Sequence, residues 1–507
     1  MKTVIAALNA RFFHSSLAIR YLQKYCCAFQ VEIAEYTIND NIYSIYSDLV
    51  KKDADVYGFS CYIWNIRETK QVAQMVKAAL PECKIIFGGP ESQDFEFVDH
   101  FIVGEGEQAF LDTLTALSKE SPLPKKIAAS TLLDLSDIPL PYSREDLQLL
   151  KDKLVYFETS RGCPFSCSYC LSSVAKGVRY FPMDYVKKGF QLFFDMEVPL
   201  VKLVDRTFNC EPKRAAQIMR FVADNSKRTT VHLEMAPHLI TDEMLCILAE
   251  KPHLFQLEMG IQSTNPKTLK AVNRLFDLEK TAERIKAASK TGVHIHLDLI
   301  AGLPYEDIES FEKSFEYVYS LRPQMLQLGF LKVLPHTQIS RTDGILHMSH
   351  APYEVIKTPW LSPHDLFLLK DIENAVDRFY NSGAFKRSIE HLTAGSPFKA
   401  FEKLGKILAH AEKDGKVARR NLYELLYKAG GEEILEKIAL DYIEHNKDKP
   451  LPEFIKRDEP ADFKSRCLQF AKKHNVSLKD VRFEPIFGKI FYINYKDGTV
   501  KDVTDSF

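Results

Sequence analysis

The 507-residue chain has almost no net charge: 67 Lys and Arg meet 68 Asp and Glu, a balance of −1. Such a surface supplies no overall field for a polyanion, so nucleic acid is not an expected partner. The short basic stretch Lys416-Val417-Ala418-Arg419-Arg420 reads as a solvated helix face. Long apolar runs are missing too. None approaches the roughly 20 residues needed to cross a bilayer, which excludes a spanning helix and points to a cytoplasmic protein. Met1 opens no signal-peptide pattern, and ten scattered cysteines make no secreted disulfide framework. A reducing, oxygen-poor setting is expected. Hydrophobic residues, at 46%, suffice for sizeable cores, and the length suggests about three domains.

What the chain does have is one dense group of cysteines. Cys163, Cys167 and Cys170 stand in Ser160-Arg161-Gly162-Cys163-Pro164-Phe165-Ser166-Cys167-Ser168-Tyr169-Cys170. Three thiolates this close can hold three irons of a cubane 4Fe–4S cluster, and with no fourth cysteine nearby one iron stays open to an outside ligand. A structural zinc site needs four closed ligands, usually as paired CxxC knuckles, and Cys210 lies well downstream. The spacing, with an aromatic just before the last cysteine, resembles the cluster motif of the radical S-adenosylmethionine (SAM) enzymes. That resemblance implies a 4Fe–4S cluster on Cys163, Cys167 and Cys170 and cleavage of SAM to a 5′-deoxyadenosyl radical. It also implies Tyr169 near the adenine and an electron donor such as flavodoxin or ferredoxin.

Ahead of the motif, residues 1–118 alternate short apolar runs with helical patterns, as parallel βαβ units do. Strands are expected at Thr3–Leu8, Val31–Tyr36, Val56–Ser60, Lys84–Phe87 and Phe101–Val103, and helices at Ser16–Phe29, Arg67–Leu80 and from about Glu107. This is a doubly wound, Rossmann-like α/β sheet, whose ligands bind beyond the carboxyl ends of the strands. Those ends carry Asn9-Ala10-Arg11-Phe12-Phe13-His14-Ser15-Ser16, Gly58-Phe59-Ser60-Cys61-Tyr62-Ile63-Trp64-Asn65, Gly88-Gly89-Pro90 and Gly104-Glu105-Gly106-Glu107. In this order they look like the cobalamin-binding domain that precedes the radical SAM core in one large subclass. The likeness implies cobalamin contacts from Asn9, His14, Ser15, Ser60, Tyr62, Trp64, Asn65, Gly88, Gly89, Pro90, Gly104, Glu105 and Gly106. The Asp-x-His-x-x-Gly signature of many cobalamin proteins is absent, as it often is in this subclass. His14 reads as a hydrogen-bonding residue of its loop.

Residues 119–153 contain Ser121-Pro122-Leu123-Pro124 and Ile138-Pro139-Leu140-Pro141 and read as a linker. Six strand-like segments follow in residues 154–335: Leu154–Thr159, Leu200–Val204, Val231–Met235, Phe255–Met259, Val293–Ile300 and Gln324–Leu331. With helices between them they suggest a partial (βα)6 TIM-type barrel, the fold radical SAM cores share, and the cysteine loop follows its first strand. By resemblance, Asp205, Arg206, Glu234, Glu258, Gln262, Asp298, Gly302 and Leu331 at the strand ends belong with Tyr169 to the SAM site, Arg206 pairing with the carboxylate. His294, His296 and Asp298 share one strand face; they read as satisfied inward-facing side chains, with a metal-ligand row as the alternative.

From residue 352 to the end the pattern is mainly helical, with one apolar stripe (Leu366, Leu369, Ile372, Ala375, Val376 and Phe379) and a closing hairpin around Asp497-Gly498. This accessory domain resembles an uncharacterised one found behind cobalamin-type radical SAM cores, and Tyr353, Trp360 and His364 are its pocket candidates. The combined expectation is an enzyme using a 4Fe–4S cluster, SAM and cobalamin to methylate an unactivated carbon or phosphorus of a small molecule or peptide. A cobalamin-assisted rearrangement or cyclisation, or a redox or cobalamin sensor without turnover, are the alternatives. A methylthiotransferase fits less well, since Cys26, Cys27, Cys61 and Cys83 form no second cluster set.

Overall fold

Alternation within an apolar run builds the first sheet. In β1 (Lys2–Asn9), Val4, Ala6 and Leu8 enter one buried layer and Ile5 and Ala7 the other, as a strand covered on both faces must. The computed structural model describes residues 1–129, 132–173, 177–413, 415–456 and 461–507. β2 (Gln30–Thr37), β3 (Val56–Ser60), β4 (Lys84–Gly88), β5 (His100–Val103) and β6 (Lys126–Ala128) complete a parallel sheet of order β2-β1-β3-β4-β5-β6. Helices α1 (Leu17–Tyr25), α2 (Ile42–Lys51), α3 (Ile66–Ala79) and α4 (Gly106–Ser118) alternate with the strands. Buried residues of α1 and α4 share a core with Ile5 and Ala7, and those of α2 and α3 share one with Val4, Ala6 and Leu8. The doubly wound sheet is as the sequence predicts, with α2 and the three-residue β6 added. β2 and β3 flank β1 on opposite sides, so the loops after β1 and β3 part at the switch point where such sheets bind ligands.

The chain forms two compact units, one of Met1–Gly260, Leu269–Ile295 and Leu331–Ile356, the other of Ile261–Thr268, His296–Phe330 and Lys357–Phe507. In the first, α5 (Arg144–Leu149) leads to β7 (Val155–Phe157), and β8 (Ser160–Cys163) and β9 (Gly177–Tyr180) form an antiparallel ribbon. After α6 (Met183–Asp195), β10 (Leu200–Leu203), α7 (Pro212–Asn225), β11 (Thr230–Glu234), α8 (Asp242–Glu250) and β12 (Phe255–Gln262) follow. β7, β10, β11 and β12 pair in parallel in that order. Gly189 lets α6 seat against β7: a Cβ there would lie 2.5 Å from the Phe157 ring. Further on, α9 (Pro266–Ala271) and α10 (Leu278–Lys290) precede β13 (His294–Ala301), which pairs in parallel with β14 (Met325–Phe330) across α11 (Ile308–Ser320). Six parallel strands thus alternate with helices, the partial (βα)6 series predicted.

Residues 357–507 begin helical. The stripe from Leu366 to Phe379 is buried along the Pro363–Ala375 helix and the π-helical turn after it, and Gly405 on a neighbouring helix sits where a Cβ would be 2.6 Å from the Asp371 carbonyl oxygen. The chain ends in three antiparallel strands, Val481–Ile486, Lys489–Asn494 and Val500–Asp502. The turn at Asp497-Gly498 is present; the additional strand arises because Phe487 and Gly488, both at positive φ, make a second tight turn. No helix among the described residues is long and apolar enough to cross a membrane.

Candidate active site

Beyond the carboxyl ends of β1 and β3 lies a cavity of about 580 Å³. Asn9, His14, Ser15, Ser60, Tyr62, Trp64, Asn65, Glu105 and Gly106 line it, together with Tyr156, Glu158, Arg161 and Arg206 from the strand ends that follow. A narrower slot of about 270 Å³ adjoins it, lined by Gly88, Gly89, Pro90 and Gly104 and sharing Ser60, Tyr62, Gly106 and Glu107 with the cavity. Each N-terminal loop residue singled out in the sequence therefore reaches one of the two.

Several of these residues spend their side chains on the loops themselves. Asn65, 1% exposed, donates to the carbonyls of Leu8 and Ser60 at 3.0 Å each and accepts from the Tyr62 N–H at 2.8 Å. It staples the ends of β1 and β3. Asn9 donates to the His14 carbonyl and to Glu35, and Ser15 donates to the Leu154 carbonyl at 2.7 Å. Gly89, at φ +112°, permits a backbone crossing, since a Cβ would lie 2.5 Å from the Cys61 carbonyl oxygen. Glu105 pairs with Arg161 and Arg179. The groups left facing the cavity include His14, the stacked rings of Tyr62 and Trp64 (4.3 Å, 5°), the Ser60 hydroxyl and Arg206. The His14 Nδ1 meets the Tyr156 hydroxyl. Burial, with Arg11 and Lys202 nearby, pushes the His14 pKa down and favours the neutral imidazole.

The cysteine loop hangs from the β8–β9 ribbon and is braced by buried charge. Gly162 is at φ +97°, and any Cβ there would come within 2.2 Å of the Gly177 carbonyl oxygen. Asp205, 1% exposed, accepts the Thr159 N–H at 2.8 Å and the hydroxyls of Thr159 and Ser160 at 2.6 and 2.7 Å. Both Asp205 oxygens accept hydrogen bonds from the ribbon, so the residue braces it. Arg161 donates to Glu158 at 2.7 Å and Glu107 at 2.6 Å, tying the ribbon to the Gly104–Glu107 loop. Burial raises the Glu158 pKa to about 7 despite Arg161, with Asp205 and Glu107 adding like charge.

Arg274, which the sequence did not single out, is the cation beside the thiols. It donates to Cys167 Sγ at 3.4 Å and to the Gly260 carbonyl. Tyr169 is half-buried with its hydroxyl at Cys167, and its pKa is pushed up by desolvation. Ser168 is fixed by backbone bonds with Val272 and Ile339, both 3.0 Å. Burial raises the Cys163 thiol, and Cys170 and Cys167 raise it further, so the three thiols lie within electrostatic reach of one another. Thr207 Oγ1 is 3.6 Å from Cys163 Sγ. Arg206, next in the chain, faces the large cavity.

The other strand-end residues are distributed as follows. Glu258 accepts from Lys202 at 2.8 Å and His232 at 2.7 Å, and Glu234 is its register partner across β11 and β12. Leu331 is buried and pairs by its carbonyl with the Val355 N–H. Tyr353 is buried and donates to Glu91 at 2.7 Å. In the second unit, Gln262 takes a positive φ of 71° and Gly302 one of 93°. His296 Nε2 lies 2.9 Å from Asp298 Oδ1. Trp360 packs on Tyr305 and His364 on Phe367.

Comparison with known proteins separates the chain into three matched regions. The model of the B12 binding domain matches residues 3–114, that of the Radical SAM superfamily residues 157–318, and that of a protein of unknown function (DUF4080) residues 343–485. The chain carries a B12-binding domain followed by a radical SAM domain. Among curated relatives, the 2-(S-pantetheinyl)-carbapenam-3-carboxylate methyltransferase of Streptantibioticus cattleyicolor is 28% identical over 308 residues, 51% of this chain and 44% of that one. The cobalamin-dependent radical SAM methyltransferase TokK of Streptomyces tokunonensis is 27% identical over 337 residues, 58% and 49% of the two chains. The chain thus spans about half the length of these relatives. In fold it is similar to the cobalamin-dependent SAM radical enzyme OxsB with aqua-cobalamin bound, with a TM-score of 0.62 at 14% identity over 94% of this chain and 82% of that one.

Proposed function

We propose that this radical SAM protein is a cobalamin-dependent methyltransferase acting on a small molecule or peptide. The observation that carries the reading is the adjacency of the three-cysteine loop and the cavity of the N-terminal sheet. Arg161 lines that cavity two residues before Cys163, and Arg206 lines it one residue before the threonine that touches Cys163. The relatives reported above are methyltransferases, which favours methyl transfer over rearrangement, cyclisation or sensing. The division of labour follows the sequence: residues 1–118 for cobalamin, 119–153 as linker, 154–335 for the cluster and SAM, and 352–507 as the accessory domain, with flavodoxin or ferredoxin as electron donor.

The residues present fit the cofactors. Cys163, Cys167 and Cys170 are free thiols on one loop, with the Arg274 charge to balance thiolates. Arg274, half-buried beside Cys167, is a further candidate, with Arg206, for the guanidinium that pairs with the SAM carboxylate. Tyr169, Glu234 and Glu258 are candidates for the rest of SAM, and Gln262, Asp298, Gly302 and Leu331 keep the assignment the resemblance gives them. For cobalamin, the cavity suits a flat macrocycle and the slot a tethered base; a Cβ added at Gly88 would meet nothing within 4 Å, so space is kept there. When bound, the cluster with SAM would supply a 5′-deoxyadenosyl radical and the corrinoid a transferable methyl group. The chain's own part is to hold both beside one cavity, with Arg161 and Asp205 fixing the cysteine ribbon and Tyr62 and Trp64 offering a flat surface.

The test is anaerobic reconstitution with iron, sulfide and hydroxocobalamin, then visible spectra and an assay for 5′-deoxyadenosine after reduction with SAM. The reading expects a 4Fe–4S spectrum, retained corrinoid, and loss of both cluster and deoxyadenosine in Cys167→Ala. Cluster and deoxyadenosine without retained corrinoid would remove cobalamin from the proposal, and no cluster would overturn it.

A further inference from the structure

We propose that Arg206 anchors an acidic group of the methyl acceptor, so that the substrate carries a carboxylate or a phosphate. The inference rests on the methyltransferase reading above and deepens it by naming the substrate class. Arg206 lies just beyond β10, is exposed, and lines the large cavity. Its guanidinium has no hydrogen bond or ion pair among the described residues. The carboxylates of the lining are engaged elsewhere: Arg161 takes Glu107 at 2.6 Å and Glu158 at 2.7 Å, and Arg161 and Arg179 share Glu105. Solvent meets the charge of an exposed guanidinium, but a ligand that fills the cavity displaces that solvent. A charge out of water is costly unless it is paired, so the occupant brings the anion. Guanidinium takes carboxylate or phosphate through two parallel hydrogen bonds.

Three ligands of this site carry an anion, and the lining separates them. The corrinoid phosphate belongs to the linker that bears the base, and Arg206 is absent from the lining of the slot assigned to that base. The SAM carboxylate has a guanidinium of its own in Arg274, which donates to Cys167 Sγ at 3.4 Å. The acceptor remains. Thr207 Oγ1 lies 3.6 Å from Cys163 Sγ, and Arg206, the residue before it, lines the cavity beside Glu158 and Val204. The guanidinium therefore stands where the cluster side of the site passes into the cavity, which is where an acceptor must lie to meet both the deoxyadenosyl radical and the methyl donor.

The experiment is isothermal titration calorimetry on the full-length chain loaded with cluster, hydroxocobalamin and SAM. Three probes stand in for the acceptor: benzoate, phenyl phosphate and benzamide, which has the shape of benzoate without its charge. Arg206→Gln, Arg206→Lys and Arg274→Gln are compared with the wild type, and the affinities for SAM, hydroxocobalamin and cobinamide, which lacks the phosphate, are measured without probe. Arg206 has no partner to lose, so Arg206→Gln should keep the wild-type melting temperature.

The wild type is expected to bind benzoate or phenyl phosphate about 10-fold more tightly than benzamide, the margin that one charge-assisted pair provides, and the tighter of the two names the acidic group. Arg206→Gln should abolish the preference without weakening benzamide, and Arg206→Lys should restore part of it. SAM affinity should fall in Arg274→Gln and hold in Arg206→Gln. A wild type without the preference, or a preference that survives Arg206→Gln, would overturn the proposal. Loss of SAM affinity in Arg206→Gln would overturn it by giving this residue the SAM carboxylate, and a loss of hydroxocobalamin affinity that cobinamide does not share would do so by giving it the corrinoid phosphate. In each of these cases the methyltransferase reading stands. A folded wild type that takes up neither cluster nor corrinoid would overturn that reading and this inference with it.

Discussion

The two loop systems that meet at the cavity are made rigid by different means. The loops after β1 and β3 are held mainly by amides and hydroxyls: Asn65 joins the two strand ends, Asn9 closes its own loop, and Ser15 ties that loop to Leu154, with the Glu35 carboxylate accepting from Asn9 and from the Ser16 N–H. The cysteine ribbon is held by buried charge, with Asp205 beneath Thr159 and Ser160, Arg161 between Glu158 and Glu107, and Arg274 on Cys167. A loop meant to carry thiolates needs positive charge nearby, and burying that charge requires carboxylates to accompany it. The loops around the cavity rely mainly on amides. The comparison predicts that the two systems fail differently when their braces are removed.

The largest effect is expected at Asp205. Asp205→Asn replaces three charge-assisted bonds with weaker ones and places an amide N–H against donors, a loss of about 3 kcal/mol. The apo protein should show a clear fall in melting temperature, and the variant should assemble less cluster from the same iron and sulfide while still retaining hydroxocobalamin. Equal damage to both cofactors would erase the distinction between the charge-braced and amide-braced loops.

Asn65→Ala should give the converse at lower amplitude. It strands the Leu8 and Ser60 carbonyls and the Tyr62 N–H, a loss of about 2 kcal/mol. Corrinoid retention should fall in a gel-filtration assay while cluster content stays at the wild-type level. A variant that keeps its corrinoid would mean that the β1–β3 staple is dispensable to the cavity.

The same contrast explains what the sequence made legible. Residues that act near their own motif were readable: Cys163, Cys167 and Cys170 by spacing, the N-terminal loops by their order at strand ends, and both sheets by their apolar periodicity. Residues that act across long separations were not. Arg274 reaches Cys167 over 107 positions and Asp205 reaches Thr159 over 46, and nothing in the local pattern distinguishes a buried arginine from a solvated one. Arg206, expected at the SAM carboxylate because a guanidinium pairs with carboxylates, lines the large cavity, and the cation that donates to Cys167 comes from beyond α9. The α2 helix went unread for a simpler reason: only Ile45 and Leu49 are fully buried along it, too few to declare a stripe. The final sheet gained a strand because the Phe487-Gly488 turn carries a phenylalanine at positive φ, which turn chemistry does not lead one to expect.

Glu158 allows the finest test of the charge-braced side. It is 8% exposed and faces Arg161, yet its pKa is about 7, because burial and the like charges of Asp205 and Glu107 outweigh the guanidinium. A carboxyl whose folded pKa lies above its unfolded one keeps a proton that the unfolded chain has already released. The folded state therefore binds more protons through that interval, and stability falls as pH rises from about 4.5 to about 7, then levels off. Glu158→Gln cannot titrate, so the variant should lack this part of the slope, a difference of about 3 kcal/mol across the interval. Melting temperature against pH for the two apo proteins measures it directly. Asn65 does not titrate, so Asn65→Ala should shift the whole curve down without changing its shape. Parallel curves for wild type and Glu158→Gln would mean that Arg161 holds Glu158 ionised throughout, and that the ribbon is braced by a plain ion pair instead of a carboxyl kept half-protonated near neutrality.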